Sequence, residues 1–553
     1  MKSNKKIFVG VVAVLVIIVL AIVGAVNSAS SPKVDSDGNI MGKGIDELLK
    51  RVSVTDAEPV KASVNMADTS LYDEMPEIDK YPLAVKGTGQ VDIEIFTSGE
   101  KAGKNTDSWL IECAESFNNS GVTTSDGKSV SISVRSVSSG LAADYIISNK
   151  YLPDLYTPSN ILFGEYAIDN GADMRLYTER LVGNTAGILV KKNSSYKDVK
   201  SVIDAVIAGQ FNLGYTNPQT SATGLNLLIE LLNNHGGVDS DDAQSAFSKF
   251  NDNIPFVAYT TQQMRDSATG GSLDGMVTEY QAYINDKSLT SDYDFIPFGI
   301  RHDNPLYIVA ESSKSDTQLE AIKLINDYLV GSEAQTLATK DGFNANNDYK
   351  SSYETYGSEI VRALKVYKDK KDAGKDIIAV FVADCSGSMD GDAIIQLKES
   401  LTNGMQYIND NNYVGFVSYS SNVTRELPIA QFDLNQKSYF QGAINRLQAN
   451  GGTSTYEALC VAVDMVQKAK VDHPDAKCMI FLLSDGNANG HYSLNDITYA
   501  VRDSEIPVYT IAYTDAADKE ELGKLSNINE AATISADSDD IIYKIKSLFN
   551  AQL

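Results

Sequence analysis

Apolar residues follow two patterns, which occupy three parts of this chain. Near the N-terminus, an unbroken apolar run covers residues 7–26, which matches the roughly 20 residues that a helix needs to cross a bilayer. From Val91 to about residue 345, short apolar runs alternate with amphipathic stretches. The same alternation returns at Ile377 with longer apolar runs. Strands and helices that alternate at these spacings predict two separate α/β regions.

The first apolar run predicts a membrane anchor. A lysine cluster within residues 1–6 precedes it, and positive charge marks the cytoplasmic side of a membrane segment. Residues 1–6 are therefore predicted as a cytoplasmic tail and residues 7–26 as a transmembrane signal anchor. Cleavage at Asn27-Ser28-Ala29-Ser30 is the alternative, because small residues there suit a signal-peptide cleavage site. The expected location is the cell membrane, single-pass, with the C-terminal bulk extracellular.

Composition changes divide the remainder of the chain into four regions. Residues 27–88 are polar and punctuated by proline, which predicts a weakly ordered linker or stalk. Residues 89–345 carry the first α/β pattern. Residues 346–374 include a charged amphipathic stretch and are predicted as a helical connector, and residues 375–553 carry the second α/β pattern. A chain of 553 residues is long enough for both domains.

The most specific chemistry follows the first strand of the second region. The apolar run Ile377–Ala383 predicts a buried strand, and it ends in Asp384-Cys385-Ser386-Gly387-Ser388 before a helical pattern begins. In an open parallel sheet, ligands bind at this carboxyl edge of the strands. One carboxylate and two hydroxyls on a single turn offer the oxygen ligands that Mg²⁺ prefers. The simpler alternative is that these residues only cap the following helix, since Asp and Ser are good N-caps.

Two later stretches can complete such a site. Gly451-Gly452-Thr453-Ser454-Thr455 is a Gly-rich turn ahead of a helical pattern, and it offers the Thr453 hydroxyl. The apolar run Met479–Leu483 predicts a second buried strand, which ends in Ser484-Asp485-Gly486. Three strand or loop ends that carry Asp, Ser, Ser, Thr and Asp in this order favour a metal site over helix capping.

These three stretches give residues 375–553 a resemblance to the von Willebrand factor A domain with a metal-ion-dependent adhesion site. The resemblance implies a Rossmann-like fold with an open, mostly parallel sheet between helices, and Thr424–Ile429 is predicted as an edge strand. It implies direct binding of Mg²⁺, with Mn²⁺ or Ca²⁺ as alternative ions, by Ser386, Ser388 and Thr453. Asp384 and Asp485 would act mostly through bound waters. The open position on the metal would accept an Asp or Glu side chain from a protein partner.

The first α/β region carries hydroxyl-rich loops at predicted strand ends. The loops are Thr97-Ser98-Gly99, Ser138-Ser139-Gly140 and Ser221-Ala222-Thr223-Gly224. Loops of this kind open helices, and the free N–H groups at a helix N-terminus bind anions. The strand–loop–helix alternation also predicts a parallel sheet. The alternative is that these loops only cap their helices and that the cleft binds nothing.

These loops make residues 89–345 similar to the extracellular solute-binding proteins of bacterial transporters, with the oxyanion and molybdate groups nearest. The resemblance implies two α/β lobes joined by crossovers near Leu181–Ala186 and Pro297–Ile308, with a small ligand in the cleft. The ligand-binding residues that it implies are Thr97, Ser98, Ser138, Ser139 and Thr223. No Arg or Lys cluster marks this cleft in the sequence, so a strongly charged anion is not demanded.

Composition narrows the range of partners and reactions. A formal net charge of −26 and a pI of about 4.6 argue against nucleic acid and anionic membrane surfaces. The four cysteines fit neither a zinc motif nor a CxxC motif. Cys460 and Cys478 are predicted as buried thiols, with a disulfide between them as the alternative. With four His and no base partner near the serines, the chain is not expected to be an enzyme.

The predicted function is therefore binding. The leading hypothesis is a membrane-anchored, extracellular bacterial protein with a Mg²⁺-dependent protein-binding domain and a solute-binding-like module. The alternative is the substrate-binding component of an ABC-type transport system, with the metal domain as a docking accessory. The expected partners are a protein that supplies a carboxylate to the metal and a small molecule in the cleft. Nucleic acid is not expected, and contact with the membrane is expected only through the N-terminal helix.

Overall fold

The structure is a computed structural model of the chain. It describes residues 33–34, 40–41, 44–64, 70–258, 261, 264–265, 273–371, 375–484, 488–513, 517–529, 531 and 533–536. The predicted cytoplasmic tail and membrane anchor, residues 1–26, lie outside these ranges. Within these ranges, no helix has both the length and the apolar character needed to cross a membrane.

Strands and helices are numbered along the chain. The strands are β1 (Lys33–Val34), β2 (Ile40–Met41), β3 (Val54–Asp56), β4 (Leu83–Val85), β5 (Val91–Thr97), β6 (Val130–Ser136), β7 (Leu155–Thr157), β8 (Met174–Thr178), β9 (Ala186–Lys191), β10 (Leu213–Thr216), β11 (Phe256–Ala258), β12 (Gly275–Glu279), β13 (Tyr293–Pro297), β14 (Leu306–Val309), β15 (Ile377–Asp384), β16 (Tyr413–Tyr419), β17 (Val423–Gln431), β18 (Lys477–Ser484), β19 (Val508–Tyr513) and β20 (Thr533–Ala536). The helices are α1 (Ile45–Leu49), α2 (Leu71–Glu74), α3 (Trp109–Ser120), α4 (Ser139–Ser148), α5 (Leu162–Asp169), α6 (Val199–Ile207), α7 (Ala222–Asn234), α8 (Asp241–Asp252), α9 (Tyr280–Asn285), α10 (Lys287–Asp292), α11 (Asp316–Leu329), α12 (Ser332–Lys340), α13 (Gly357–Lys370), α14 (Asp392–Gly404), α15 (Leu434–Arg446), α16 (Thr455–Lys470), α17 (Leu494–Ser504) and α18 (Lys519–Ser526).

The C-terminal domain is built on a seven-stranded sheet of order β20-β19-β18-β15-β16-β17-β3. Every neighbouring pair in it is parallel except β16 and β17. All eight residues of the central strand β15 are buried, because helices cover both faces of the sheet. Alternate residues of β15 therefore join different layers: Val380 packs in one cluster with residues of α16, and Phe381 in the other with residues of α14 and α15. This is the mostly parallel α/β sheet that the sequence predicts for residues 375–553.

A segment from the other end of the chain, residues 44–64, completes this domain; we call it the N-terminal strap. Its strand β3 pairs in parallel with β17 at Val423–Arg425, so β17 is not the sheet edge that the sequence predicts. Helix α1 of the strap buries Leu48 completely, and the Tyr492 hydroxyl donates to the Leu48 carbonyl at 2.7 Å. The prediction of a weakly ordered linker is wrong here, because the few apolar residues of this polar segment pack against a distant part of the chain.

The second half of the strap crosses helix α15. The Ala62 N–H donates to the Ser438 carbonyl at 3.0 Å, and the Ser438 hydroxyl donates to the Ala62 carbonyl at 2.7 Å. Arg446 donates to the carbonyl of Glu58 at 2.8 Å. A Cβ atom on Gly442 would lie only 1.7 Å from the Val60 carbonyl oxygen. The strap can pass this closely only because position 442 carries no side chain.

The described residues between 70 and 344 form two lobes, each built on a mixed sheet. Lobe A contains the sheet β4-β6-β5-β7-β14-β8, and lobe B contains the sheet β11-β10-β12-β9-β13. The linker prediction also fails for residues 70–88, since β4 belongs to lobe A and Met75 is buried in its core. The chain crosses between the lobes before β9 and after β13, where Asn184 and His302 pair, which confirms the predicted crossovers.

The prediction of a parallel sheet holds for only part of each lobe: β5 is parallel to β6 and β7, and β10 is parallel to β11 and β12. Strand β14 runs antiparallel to both of its neighbours in lobe A, and β9 does the same in lobe B. Each of these strands enters its sheet directly from a crossover between the lobes. A parallel pair of strands needs a crossover connection, which is usually a helix. These strands have no such helix before them, so they pair antiparallel.

Helix α13, within the predicted connector at residues 346–374, packs on α5 of lobe A and on α7 and α8 of lobe B. On the lobe A side, a Cβ atom on Gly357 would lie 2.9 Å from the Glu165 carbonyl oxygen. On the lobe B side, the ring centroids of Tyr367 and Phe247 are 5.9 Å apart. The connector is therefore helical, and it also bridges the two lobes.

The four cysteines are free thiols, and Cys478 is the one that is not fully buried. Burial raises the pKa of Cys385 and of Cys460 to about 12, so little thiolate forms at neutral pH. We expect Ellman's reagent to modify at most Cys478 in the native chain and all four thiols after unfolding in guanidinium. Rapid reaction of a second thiol in the native chain would contradict this packing.

Candidate functional site

The two serines of the predicted metal loop converge at the carboxyl end of β15. Ser386 is buried, Ser388 is exposed, and their Oγ atoms lie 3.0 Å apart. Neighbouring ligands of an octahedral Mg²⁺ ion, with bonds near 2.1 Å, are about 3.0 Å apart. The spacing therefore fits two adjacent ligand positions on one ion. Among the described residues, no group of three or more His, Cys, Asp or Glu side chains could hold a metal.

Asp384 starts this loop and is fully buried. Its Oδ1 accepts a hydrogen bond from the Ser386 N–H at 2.8 Å. Its Oδ2 accepts from the Tyr419 hydroxyl at 3.0 Å and from the Ser484 hydroxyl at 2.9 Å. Burial raises the pKa of Asp384, while these hydrogen bonds oppose the rise. A cation bound at the neighbouring hydroxyls would stabilise the buried negative charge.

The Gly-rich turn that carries Thr453 lies directly beside the metal loop. The Gly387 N–H donates to the Gly451 carbonyl at 3.1 Å, and the Asn450 N–H donates to the Cys385 carbonyl at 2.8 Å. A Cβ atom on Gly387 would lie 3.2 Å from the Gly451 carbonyl oxygen, so the two loops pack backbone to backbone. These contacts fix the turn relative to the two serines.

Thr453 itself is buried, and its N–H donates to Asn489 Oδ1 at 2.7 Å. Beside it, the Gly452 N–H donates to Ser421 Oγ at 2.7 Å. The structure thus places four of the five predicted metal residues at one edge of the sheet. The fifth, Asp485, lies outside the described residues.

Three supporting residues of this edge are missing from the sequence-based prediction: Tyr419, Ser421 and Asn489. Tyr419 ends β16, Ser421 lies in the turn after it, and Asn489 follows β18. The sequence marks these three residues only by their position near predicted strand ends, and not by a chemical motif. Because β16 is parallel to β15, its carboxyl end must reach the same edge, so the residues around position 420 could have been included.

A cavity of about 70 Å³ lies between lobes A and B. Of the five residues predicted to bind a ligand, four line it: Ser98, Ser138, Ser139 and Thr223. Thr97 does not line the cavity. It is fully buried as the last residue of β5, and its hydroxyl has no hydrogen-bond partner.

Three carboxylates that the sequence-based prediction did not include also line this cavity: Glu100, Asp107 and Glu279. Arg265 lines it as well and pairs with Asp107 at 3.3 Å. Glu279 is buried and accepts hydrogen bonds from the Thr223 hydroxyl at 2.5 Å and from the Thr261 hydroxyl at 2.7 Å. The wall is therefore more acidic than basic. Glu100 directly follows Thr97-Ser98-Gly99, and this adjacency was the signal available in the sequence.

Both folds match known families. Residues 379–550 match the family model of the von Willebrand factor type A domain, and residues 102–344 match that of the bacterial extracellular solute-binding protein. The chain therefore combines a von Willebrand factor type A domain with a solute-binding domain, as the resemblances indicated.

The curated relatives match this chain over short stretches. Inter-alpha-trypsin inhibitor heavy chain H3 from Bos taurus is 29% identical over 145 residues, which cover 24% of this chain and 16% of that protein. A von Willebrand factor A domain-containing protein from Dictyostelium discoideum is 32% identical over 120 residues, which cover 21% of this chain and 12% of that protein. The chain thus spans less than a fifth of the length of these relatives.

Solved structures are also similar to this chain. A von Willebrand factor type A structure from Catenulispora acidiphila has 20% sequence identity and a TM-score of 0.30, and the match covers 32% of this chain and 42% of that one. A periplasmic thiamin binding protein has 13% identity and a TM-score of 0.39, and that match covers 52% of this chain and 98% of the other.

Proposed function

We propose that this chain is a membrane-anchored, extracellular bacterial binding protein whose C-terminal domain holds a protein ligand through Mg²⁺. The observation that carries this proposal is the convergence of Ser386 and Ser388, with Oγ atoms 3.0 Å apart, next to the buried Asp384. The match of residues 379–550 to the von Willebrand factor type A domain supports it. We also propose that the chain is not an enzyme, since both matched families are binding types.

The proposed metal-binding residues form two groups, the neutral hydroxyls and the charged carboxylates. Ser386, Ser388 and Thr453 would hold the ion directly, and Asp384 and Asp485 would act through bound water. Hydroxyl ligands add no charge, so the bound ion would retain its affinity for an Asp or Glu side chain of the partner. The contribution of the domain is a pre-formed edge of hydroxyls beside a buried negative charge.

The proposed membrane location rests on the apolar run at residues 7–26 and on the lysines before it. The strap begins at residue 44, shortly after this run. Because the strap belongs to the C-terminal domain, the anchor would attach to the metal-binding domain rather than to the two lobes.

The alternative function is the substrate-binding component of an ABC-type transport system, with the metal domain as a docking accessory. The match of residues 102–344 and the hydroxyl-lined cavity between the lobes support this alternative. The cavity holds about 70 Å³, whereas ligand pockets usually exceed about 300 Å³. We therefore assign the main binding role to the metal edge of the C-terminal domain.

Calorimetric titration of Mg²⁺ into the soluble chain, residues 27–553, tests the proposal. We expect saturable binding to the parent and no measurable binding to Ser386→Ala, because this substitution removes a direct ligand. Ser420→Ala is the matched control, since the Ser420 hydroxyl lies at the same edge but bonds to Asn450 at 3.3 Å. A folded parent that binds neither Mg²⁺ nor Mn²⁺ would contradict the proposal.

A further inference from the structure

Glu100 lies in the cleft between the lobes, in the loop after β5. Its Oε1 accepts hydrogen bonds from the Ser98 hydroxyl at 2.5 Å, from the Ser159 hydroxyl at 2.7 Å and from the Lys101 ammonium at 3.0 Å. Lys101 is fully buried and also donates to Asn304 at 2.7 Å. One carboxylate oxygen therefore accepts from two hydroxyls and a buried cation.

These donors are the kind that bind a free oxyanion. Hydroxyls, a buried ammonium and the N–H groups at a helix start all stabilise negative charge. Ser138 and Ser139, at the start of α4, line the same cavity. The buried charge of Lys101 requires a negative partner, because an unpaired cation in the protein interior is strongly unfavourable. In this chain Glu100 supplies that partner.

We propose that the Glu100 carboxylate is a built-in occupant of the anion position in this cleft, so that the two lobes stay closed without a free oxyanion. The solute-binding domain, which lies in sequence between the strap and the rest of the C-terminal domain, would then serve as a closed scaffold. The space that remains, about 70 Å³, would be open to a small neutral or cationic molecule and closed to an oxyanion. This inference is independent of Mg²⁺ binding by the C-terminal domain.

Direct contacts between the lobes support permanent closure. The Gly140 N–H of lobe A donates to the Thr220 carbonyl of lobe B at 3.1 Å, and a Cβ atom on Gly140 would lie 2.1 Å from the Gln219 carbonyl oxygen. Gln281 of lobe B donates to Asp107 of lobe A at 2.9 Å. Helix α13 also packs on both lobes and so adds to the contacts that join them.

The charges in the cleft also disfavour a second anion. Burial raises the pKa of Glu100, but the charge of Lys101 and the hydroxyl hydrogen bonds outweigh burial and hold the pKa at about 2. Glu100 is therefore ionised at neutral pH. Burial and the nearby Glu100 charge both raise the pKa of Glu279. An incoming oxyanion would face repulsion from these carboxylates.

Removing the Glu100 carboxylate tests the inference. We expect Glu100→Ala to lower the Tm of the soluble chain, because Lys101 loses its negative partner. Formate, acetate or inorganic phosphate should then recover most of that loss in a saturable manner, because each can occupy the freed position. Calorimetry should show binding of these anions to Glu100→Ala and none to the parent.

Two variants control for unspecific effects of anions. Glu279→Gln removes a buried carboxylate from the same cleft, but this carboxylate accepts from threonines rather than from Lys101. It should gain no more stability from these anions than the parent does. Glu100→Gln keeps the position filled, so it should have a lower Tm that anions do not restore.

Three results would overturn the inference. The first is saturable binding of phosphate, acetate or formate by the parent. The second is equal recovery of Tm by anions in Glu100→Ala and in either control variant. The third is a Glu100→Ala chain that gains no anion binding, or that stays unfolded in saturating formate and phosphate.

Discussion

Deletion of residues 44–64, the N-terminal strap, is expected to unfold the C-terminal domain or to lower its Tm strongly. The deletion removes strand β3 from the sheet and leaves β17 as an open edge. It also removes Leu48, which is fully buried beside α16, and the hydrogen bond from Tyr492 to the Leu48 carbonyl. For the same reason, we expect a chain that begins at residue 375 not to reach the native fold of this domain.

A point substitution tests the strap without shortening the chain. Leu48→Ala should destabilise the C-terminal domain by about 2–5 kcal/mol, the usual effect of truncating a fully buried leucine. Val60→Ala is the control on the same segment, because Val60 is 58% exposed, and it should change stability by no more than about 0.5 kcal/mol. Differential scanning calorimetry should show a lower Tm for the C-terminal transition in Leu48→Ala alone. Equal, small effects of both variants would contradict the docking of the strap.

Gly442→Ala examines the same contact from the opposite side. Inside a helix, Ala is favoured over Gly by about 1 kcal/mol, so the substitution should stabilise α15 if nothing opposes it. In this chain the added Cβ atom would lie 1.7 Å from the Val60 carbonyl oxygen. We therefore expect a lower Tm, and a raised Tm in a chain that retains the strap would show that the approach is not this close.

Asp384→Asn is expected to weaken Mg²⁺ binding while leaving the apo domain at least as stable as the parent. Losing a group that orients the metal ligands without touching the metal itself reduces the metal affinity by about 10–100-fold. The opposite effect on stability follows from burial, because an ionised carboxylate is unfavourable in the interior and Asn carries no charge. The Asn Oδ1 atom can still accept from the Ser386 N–H, and the hydroxyls of Tyr419 and Ser484 can rotate to suit the amide.

Calorimetry with Mg²⁺ and thermal unfolding without metal measure these two effects on the same preparation. A misfolded variant would lose both metal binding and stability, whereas we predict that the two effects separate. Unchanged Mg²⁺ affinity in a folded Asp384→Asn chain would favour the simpler view, in which Asp384 only supports the local turn and the following helix.

The loop that carries Asp384, Ser386 and Ser388 could be placed from the sequence because its residues are local in the chain. Asp384, Ser386 and Ser388 lie on one turn, and the strand before that turn is apolar throughout. Parallel strands end at the same edge of a sheet, so the loops after β15 and β18 had to meet there. The Thr453 turn lies between helices α15 and α16, so its place beside this loop was expected from the family resemblance rather than from strand order. The residues that support the edge from neighbouring strands, such as Tyr419, carry no motif of their own.

The strap could not be predicted, because its contacts are with residues that are distant in the sequence. Strand β3 consists of Val54-Thr55-Asp56, which is too short to show an alternation of apolar and polar residues. Leu48 is one of a few apolar residues in a polar segment, and its burial depends on helix α16, far along the chain. Long-range partners of this kind leave no periodic trace in the sequence.

The role of Glu100 could not be predicted from the sequence either, because it depends on contacts that only the folded chain shows. A glutamate next to a lysine in a loop usually indicates a solvated surface, and only the folded chain shows that Lys101 is fully buried. Ser159, which also donates to Glu100, arrives from the loop after β7. The sequence therefore indicated the hydroxyl loops of the cleft without indicating what fills it.

The position of a bound Mn²⁺ ion in crystals of residues 27–553, located by its anomalous scattering, tests the Mg²⁺-dependent site most directly. We predict a peak in contact with the Oγ atoms of Ser386 and Ser388, at the edge that carries Thr453. Crystals grown in saturating Mn²⁺ that show an ordered metal loop and no peak there would contradict metal-dependent binding by this domain.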